Sequence, residues 1–243
     1  MLIKISIKQN GMQPLRWLHL VRKGIQHPDR IFPYLSNKLM GPKSAVRVED
    51  EVVTWNTLEW GDGNNPAQIS AINYHMVQAL RRDLQGESYS HAVELGCGYG
   101  RLTPWLSEFA DQVTGIEPNE EVREYIPEYY PNLEVLSSKG QDIDLPTNTA
   151  DLLVTRSVLQ HIPDEEIERV ASEISRISTS GATLLLCEET IGESRKFIWP
   201  REVERYQSIF SDWELDSAWR REAPAKTRDH TRMRIKFKKH LSD

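Results

Sequence analysis

From residue 66 to the end, the chain alternates between helical and strand-like spacing of its apolar positions. Ile69, Ile72, Met76, Val77 and Leu80 recur three and four apart, which predicts a helix over 66–84. Ala92, Val93 and Leu95 form a short buried run, and Leu102, Trp105, Leu106 and Phe109 then return to helical spacing over 101–110. Strand-like runs follow at 113–116, 133–136, 150–155 and 181–187, the last ending in Glu188-Glu189, with helical stretches at 119–130, 163–177 and 201–210 between or after them. The segments 213–219 and 232–239 alternate apolar and polar residues as two further strands. Strands alternating with helices in this way predict an α/β domain with a parallel, doubly wound sheet.

The N-terminal quarter is patterned differently. A weak alternating strand at 2–7 precedes two amphipathic stretches. Trp17, Leu18, Val21 and Ile25 share one face, as do Ile31, Phe32, Leu35 and Leu39, with His27-Pro28 between them and Gly41-Pro42 after. Residues 1–40 hold seven Lys/Arg against one Asp. Two readings stay open: a cap packed on the core or across a homodimer, or a peripheral contact of residues 14–40 with an anionic membrane surface or partner. Residues 43–64 carry Val46, Val48, Val52, Val53, Trp55 and Trp60 before a Gly-Asp-Gly-Asn-Asn-Pro turn. They read either as a lid or as plain turn chemistry between a hairpin and a helix. The division is therefore 1–64, a helical extension and lid, and 65–243, the α/β domain.

Composition narrows the class. The 243 residues, 39% hydrophobic and 27% charged, suit one α/β domain with extra elements. A net charge of −6 argues against a nucleic-acid binder. Two cysteines make no disulfide framework, and no Cys/His spacing suggests a metal. With Lys4, Lys8 and Arg16 breaking the N-terminal apolar residues, no signal peptide is expected, and no apolar run is long enough to span a membrane. A reducing, cytoplasmic setting is expected, with membrane association the alternative through residues 14–40.

The chemistry gathers at His91–Thr103. A buried run is followed by Gly96-Cys97-Gly98-Tyr99-Gly100 and then by helical spacing, which offers backbone N–H groups and a positive helix end to a ligand. Cys97 reads as a small filler of the turn. Glu117 closes the next strand, 23 positions after Glu94. A carboxylate there can accept from both hydroxyls of a ribose. It can equally cap the next helix, with Pro118 at the first position.

Glu94-Leu-Gly-Cys-Gly-Tyr-Gly100 resembles the first motif of the class I methyltransferases, which use S-adenosylmethionine (SAM). The resemblance extends over about 91–189 and implies a Rossmann-like, seven-stranded sheet, mostly parallel, whose antiparallel last strand lies between the fifth and sixth. It implies that Gly96 and Gly98 line the methionine moiety, Glu94 orients its amino group and Glu117 holds the ribose. Asp142 and Ile143, in Gly140-Gln-Asp-Ile143, resemble the adenine-contacting turn. The segment 151–162, with Arg156 and Ser157 at the end of its strand, is similar to the family's fourth strand and the helix after it. Tyr74, on the helix before the first strand, and Arg101, after the turn, are further cofactor candidates, the latter toward Glu94 or the cofactor carboxylate.

For a hydroxyl acceptor a general base is useful. His161 is a candidate, with bracing of the next helix as its other reading; Glu188, Glu189 and His230 are alternatives. Arg156, Arg228 and Arg232 could pair with an acceptor oxyanion. No amino-acceptor motif of Asn-Pro-Pro-Tyr type follows the fourth strand, where Thr155-Arg-Ser-Val158 stands, so O-methylation is expected. The basic lead-in is similar to that of polysaccharide-pathway methyltransferases, which implies a glycan hydroxyl; a small-molecule phenol fits as well. The alternatives are a non-catalytic SAM-binding or partner-binding module and, more distantly, an NAD-dependent dehydrogenase. The last would want its third glycine where Arg101 stands.

Overall fold

The computed structural model describes residues 43–48, 51–56, 66–124, 126, 133–194, 197–220 and 232–241. The basic lead-in, the segment with Trp60 and the stretch holding Arg228 and His230 lie outside the described residues. Residues 43–243 form one compact unit.

The unit opens with an antiparallel hairpin, β1 (Lys43–Val48) against β2 (Glu51–Asn56). Helix α1 (Pro66–Asp83) follows. The main sheet then takes β3 (Tyr89–Leu95), β4 (Ala110–Ile116), β5 (Glu134–Leu136), β6 (Ala150–Arg156), β7 (Ser178–Glu189), β8 (Trp213–Arg220) and β9 (Arg232–Lys239). Their spatial order is β5-β4-β3-β6-β7-β9-β8. The pairs from β5 through β7 are parallel, and β9 runs antiparallel to both β7 and β8. Seven mostly parallel strands with the last inserted antiparallel is the expected architecture.

Strand periodicity sends alternate residues to opposite faces, and each face has its own core. Leu95, Leu153, Leu184, Leu186, Ile235 and Phe237 join Ile167, Val170 and Ile174 of α3 (Asp164–Ile177) and Ile209 of α4 (Val203–Ile209). On the other face Ala92, Leu152, Val154 and Leu185 meet Met76, Leu80 and Leu84 at α1. Helices on both faces make the sheet doubly wound. The first turn of α3 is Asp164, Glu165 and Glu166, carboxylates that suit the positive helix end.

Three expectations are corrected. The segment 101–110 forms a six-residue 3₁₀ turn, Thr103–Glu108, closed by Trp105 N–H to Leu102 O at 2.9 Å and Phe109 N–H to Leu106 O at 2.9 Å. β4 begins at Ala110, which leaves the segment room for a short turn rather than a stable α-helix; Pro104, in its first turn, is compatible with either. No α-helical positive end therefore follows the glycine turn. In the next connection Asn119 occupies the N-cap and α2 (Glu120–Arg123) starts after it, leaving Pro118 exposed outside the helix. The rest of the stretch to 130, Ile126 apart, lies outside the described residues. Strand β7 begins at Ser178, earlier than the apolar run suggests; a register shift against β6 and φ +72° at Gly181 mark a bulge that lets the ladder start early.

Candidate functional site

The glycine turn sits where β3, β4 and β6 end side by side. Gly96 and Cys97 both donate their N–H to Ile116 O, at 2.8 and 3.0 Å, which ties the turn to the end of β4. Gly96 has φ +68°, and a Cβ there would lie 2.4 Å from Val158 Cγ2. Gly98, at φ +57°, is different: nothing stands within 4 Å of where its Cβ would be. Close packing therefore fixes the first glycine, whereas the second borders open space. Cys97 is buried, and its Sγ would be 2.7 Å from a Cβ at Gly115, so the thiol fills the gap that this glycine leaves. Burial, first, and then the Glu94 and Glu117 carboxylates hold that thiol well above its ordinary pKa, which leaves it protonated.

Two buried carboxylates flank the turn. Glu117 accepts from Gly98 N–H at 3.1 Å through Oε2 and from Asn119 N–H at 2.9 Å through Oε1. It thus ties the turn to the start of the next connection, and Arg123 Nη1 donates to its backbone carbonyl at 2.6 Å. Desolvation raises its pKa against these two backbone donors and the Arg123 charge. Glu94 accepts from the Thr103 hydroxyl at 2.6 Å. Burial pushes its pKa up to about 7, opposed by the Thr103 bond and by the charges of Arg156 and Arg101. Thr103 lies on the 3₁₀ turn, so the departure from the expected helix is what brings its hydroxyl to Glu94. Arg101 is half-buried with its guanidinium 5.7 Å from the Tyr99 ring centre.

At the end of β6, Ser157 has φ +57°, an uncommon conformation for a residue with a side chain. Its N–H bonds Cys187 O at 2.9 Å, and its buried Oγ has no hydrogen-bond partner among the described residues. Glu188 is fully buried beneath this segment. Its Oε1 accepts from Thr155 Oγ1 at 2.8 Å, and its Oε2 accepts from the N–H groups of Val158 at 3.0 Å and Gln160 at 3.2 Å. The carboxylate fastens the 3₁₀ turn Leu159–His161 to β7.

The orientation of His161 is set by its neighbours. Glu189 N–H donates to Gln160 Oε1 at 2.9 Å, which turns the Gln160 amide nitrogen toward His161 Nε2 at 3.3 Å. An amide NH₂ only donates, so Nε2 accepts and Nδ1 carries the hydrogen that Phe197 O accepts at 2.7 Å. Trp199 N–H bonds Gln160 O at 2.7 Å, and Arg201 donates to Leu159 O, Ile162 O and Asp164. The segment 197–201 is thereby clasped onto 158–164.

The other named residues are placed less centrally. Asp142 is exposed, its N–H closing a turn on Lys139 O at 3.0 Å. Ile143 is buried in the α3-side core, its N–H held by Glu173 at 2.8 Å. Tyr74 is 62% exposed on the outward face of α1, about 200° around the helix from Met76, and no hydrogen bond among the described residues brings it to the turn. No group of three or more His, Cys, Asp or Glu able to hold a metal occurs among the described residues. No helix there is long and apolar enough to cross a membrane.

Residues 93–186 match the family model described as "Methyltransferase domain". An uncharacterized methyltransferase of Oceanobacillus iheyensis is 30% identical over 113 residues, covering 46% of this chain and 52% of that protein. Another, of Bacillus cytotoxicus, is 28% identical over 112 residues with the same coverage. The chain thus spans about half the length of these curated relatives. Among solved structures, the N-methyltransferase NodS of Bradyrhizobium japonicum, in complex with S-adenosylhomocysteine, superposes with a TM-score of 0.61 at 16% identity, covering 74% of this chain and 91% of that one. A SAM-dependent methyltransferase of Leishmania major gives 0.63 at 16% identity, covering 75% and 79%. Residues 93–186 thus carry a methyltransferase domain, on the fold that these SAM-dependent and S-adenosylhomocysteine-bound enzymes share.

Proposed function

We propose that this protein binds SAM at the glycine turn and transfers its methyl group to a hydroxyl of a small molecule or glycan. The observation that carries the binding mode is the pair Glu117 and Gly98: a buried carboxylate held at the turn by its own backbone, beside space that a Cβ would enter. Glu117 accepts from the ribose hydroxyls, and Gly98 lets the ligand approach the main chain. The buried Glu94 meets the ammonium of the amino-acid end, and the orphan Ser157 Oγ donates or accepts at the same end. Arg101 and Arg156 supply positive charge near the cofactor carboxylate. Asp142 and Ile143 border the base.

The cofactor supplies an electrophilic methyl group. The protein's part is to hold it in line with the acceptor in a dry site, since positioning alone contributes much of such a rate. Glu188, with donors on both oxygens, and His161, whose Nε2 meets the Gln160 amide, act as positioning residues under the β6 end. Neither is proposed as the base. Oxygen is the proposed acceptor atom because Thr155-Arg-Ser-Val158 lacks the amino-acceptor motif. Nitrogen is the second reading, favoured by relatives that include phosphoethanolamine N-methyltransferase 3 of Arabidopsis thaliana, 24% identical over 135 residues. The test is incubation with methyl-labelled SAM and a small-molecule extract. Labelled methyl ethers are expected; labelled methylamines would move the reading to nitrogen. Binding of S-adenosylhomocysteine without any labelled product would leave a non-catalytic module.

A further inference from the structure

Helix α1 carries an orphan amide toward the cofactor end of the sheet. Lys238 and Lys236 of β9, in register with Thr183 and Leu185 of β7, reach Glu87 and the Asp83 carbonyl in turn. The chain from Glu87 back into α1 therefore climbs toward the carboxyl end of β7. Met76 and Leu80 of α1 border a cavity with Leu102, which follows the glycine turn, and with Val154 and Leu185 of the sheet. The charged groups on this cavity are answered by neighbours: Arg234 lies 3.2 Å from Asp83, and Arg156 acts on Glu94. What is left to meet a ligand there is apolar side chain. Asn73 sits one turn beyond Met76, about 60° around the helix and about 4.5 Å along it, so it extends the same stripe. Its Oδ1 is buried and has no hydrogen-bond partner among the described residues. An amide oxygen left so is costly, and a bound donor relieves that cost.

We propose that this cavity seats the methyl acceptor, that the acceptor is an uncharged apolar alcohol or phenol, and that Asn73 Oδ1 accepts the hydrogen bond from its hydroxyl. The apolar body lies against Met76, Leu80 and Leu102. A carboxylate or ammonium head would lose its water and find each charge there already matched. An amide oxygen accepts a hydrogen bond without taking the proton, so Asn73 orients the hydroxyl and does not deprotonate it. As the oxygen lone pair closes on the methyl carbon, the sulfur–methyl bond breaks, its electron pair returns to sulfur and the hydroxyl proton passes to water. The inference rests on the methyl-transfer reading and narrows its acceptor from small molecules and glycans to an apolar hydroxyl compound.

The test uses the whole protein saturated with S-adenosylhomocysteine, whose binding is first measured by calorimetry. Binding of hexanol, 4-ethylphenol, hexyl methyl ether, hexanoate and hexylamine is then titrated by saturation-transfer NMR. One hydroxyl probe is expected to bind roughly fivefold or more tighter than the ether, the acid and the amine, as one ordinary hydrogen bond should give. The tighter of hexanol and 4-ethylphenol names alcohol or phenol. Ala79→Phe, which fills the cavity from α1, is expected to weaken that probe roughly tenfold. Asn73→Ala is expected to weaken it roughly fivefold and to leave the ether within about twofold, a contrast that a merely structural loss would not give. Absence of binding by both hydroxyl probes, tighter binding of the acid or the amine, or equal loss of hydroxyl probe and ether in Asn73→Ala overturns the proposal. So does lost affinity for S-adenosylhomocysteine in Asn73→Ala with circular dichroism unchanged, which would put the amide on the cofactor. Failure of S-adenosylhomocysteine to bind the wild-type protein would instead overturn the methyltransferase reading itself.

Discussion

Glu94 and Thr103 form a buried hydrogen-bonded pair, the threonine hydroxyl donating to Oε2 at 2.6 Å from a 3₁₀ turn on the far side of the glycine loop. A carboxylate so enclosed titrates near pH 7, above its ordinary value of 4.5, because burial penalises its charged form. The folded chain therefore binds this proton more tightly than the unfolded one, and through this group the ligand-free protein loses stability as pH rises from about 4.5 to about 7. The ammonium of SAM prefers the ionised carboxylate, so affinity should rise over pH 6–8. Calorimetry across that range should show tighter binding with rising pH. Removing the donor with Thr103→Val should move the midpoint upward.

Gly96 and Gly98, both at positive φ, should fail in different ways. Gly96→Ala adds backbone strain and a 2.4 Å clash with Val158, expected to cost roughly 2–4 kcal/mol of stability. Gly98→Ala meets no protein atom and should cost about 1–2 kcal/mol. Its Cβ enters the space assigned to the ligand, so SAM affinity should fall more than stability does. Thermal unfolding and calorimetry on both variants check the contrast.

Glu188→Gln tests the buried brace beneath β6. An amide in its place keeps the shape and can turn its NH₂ toward Thr155 Oγ1, a hydroxyl able to accept, while its oxygen stays with the N–H groups of Val158 and Gln160, which only donate. Exchanging charge-assisted for neutral hydrogen bonds there should cost about 1 kcal/mol, read as a lowered unfolding midpoint. A base would instead show a loss of turnover with the midpoint unchanged.

Much of this was legible in the sequence, and the reasons are local. Buried parallel strands read as apolar runs because both faces are covered, so β3, β6 and β7 stand out. The spacing of Glu94, the glycines and Glu117 survives because a strand, a turn and a second strand fix it. What was hidden depends on contacts distant in sequence. Arg234 and Lys236 look like the solvent side of an alternating strand. They are buried because Asp83 and Glu87, about 150 positions earlier, face them. Arg201 and Gln160 carry no motif; their roles come from carbonyls and N–H groups gathered by the fold. Tyr74 fits the helix period but falls opposite the apolar stripe of Met76, Val77 and Leu80, which the sequence already shows.

The central claim is that Glu117 clasps the ribose of a sulfonium nucleoside at the glycine turn. Calorimetric titration of S-adenosylhomocysteine into wild type and Glu117→Ala, with circular dichroism confirming that both are folded, measures it directly. The account expects the variant to lose roughly 10- to 100-fold in affinity, as removal of a charged hydrogen-bond acceptor should. Equal affinity in the two proteins would contradict it.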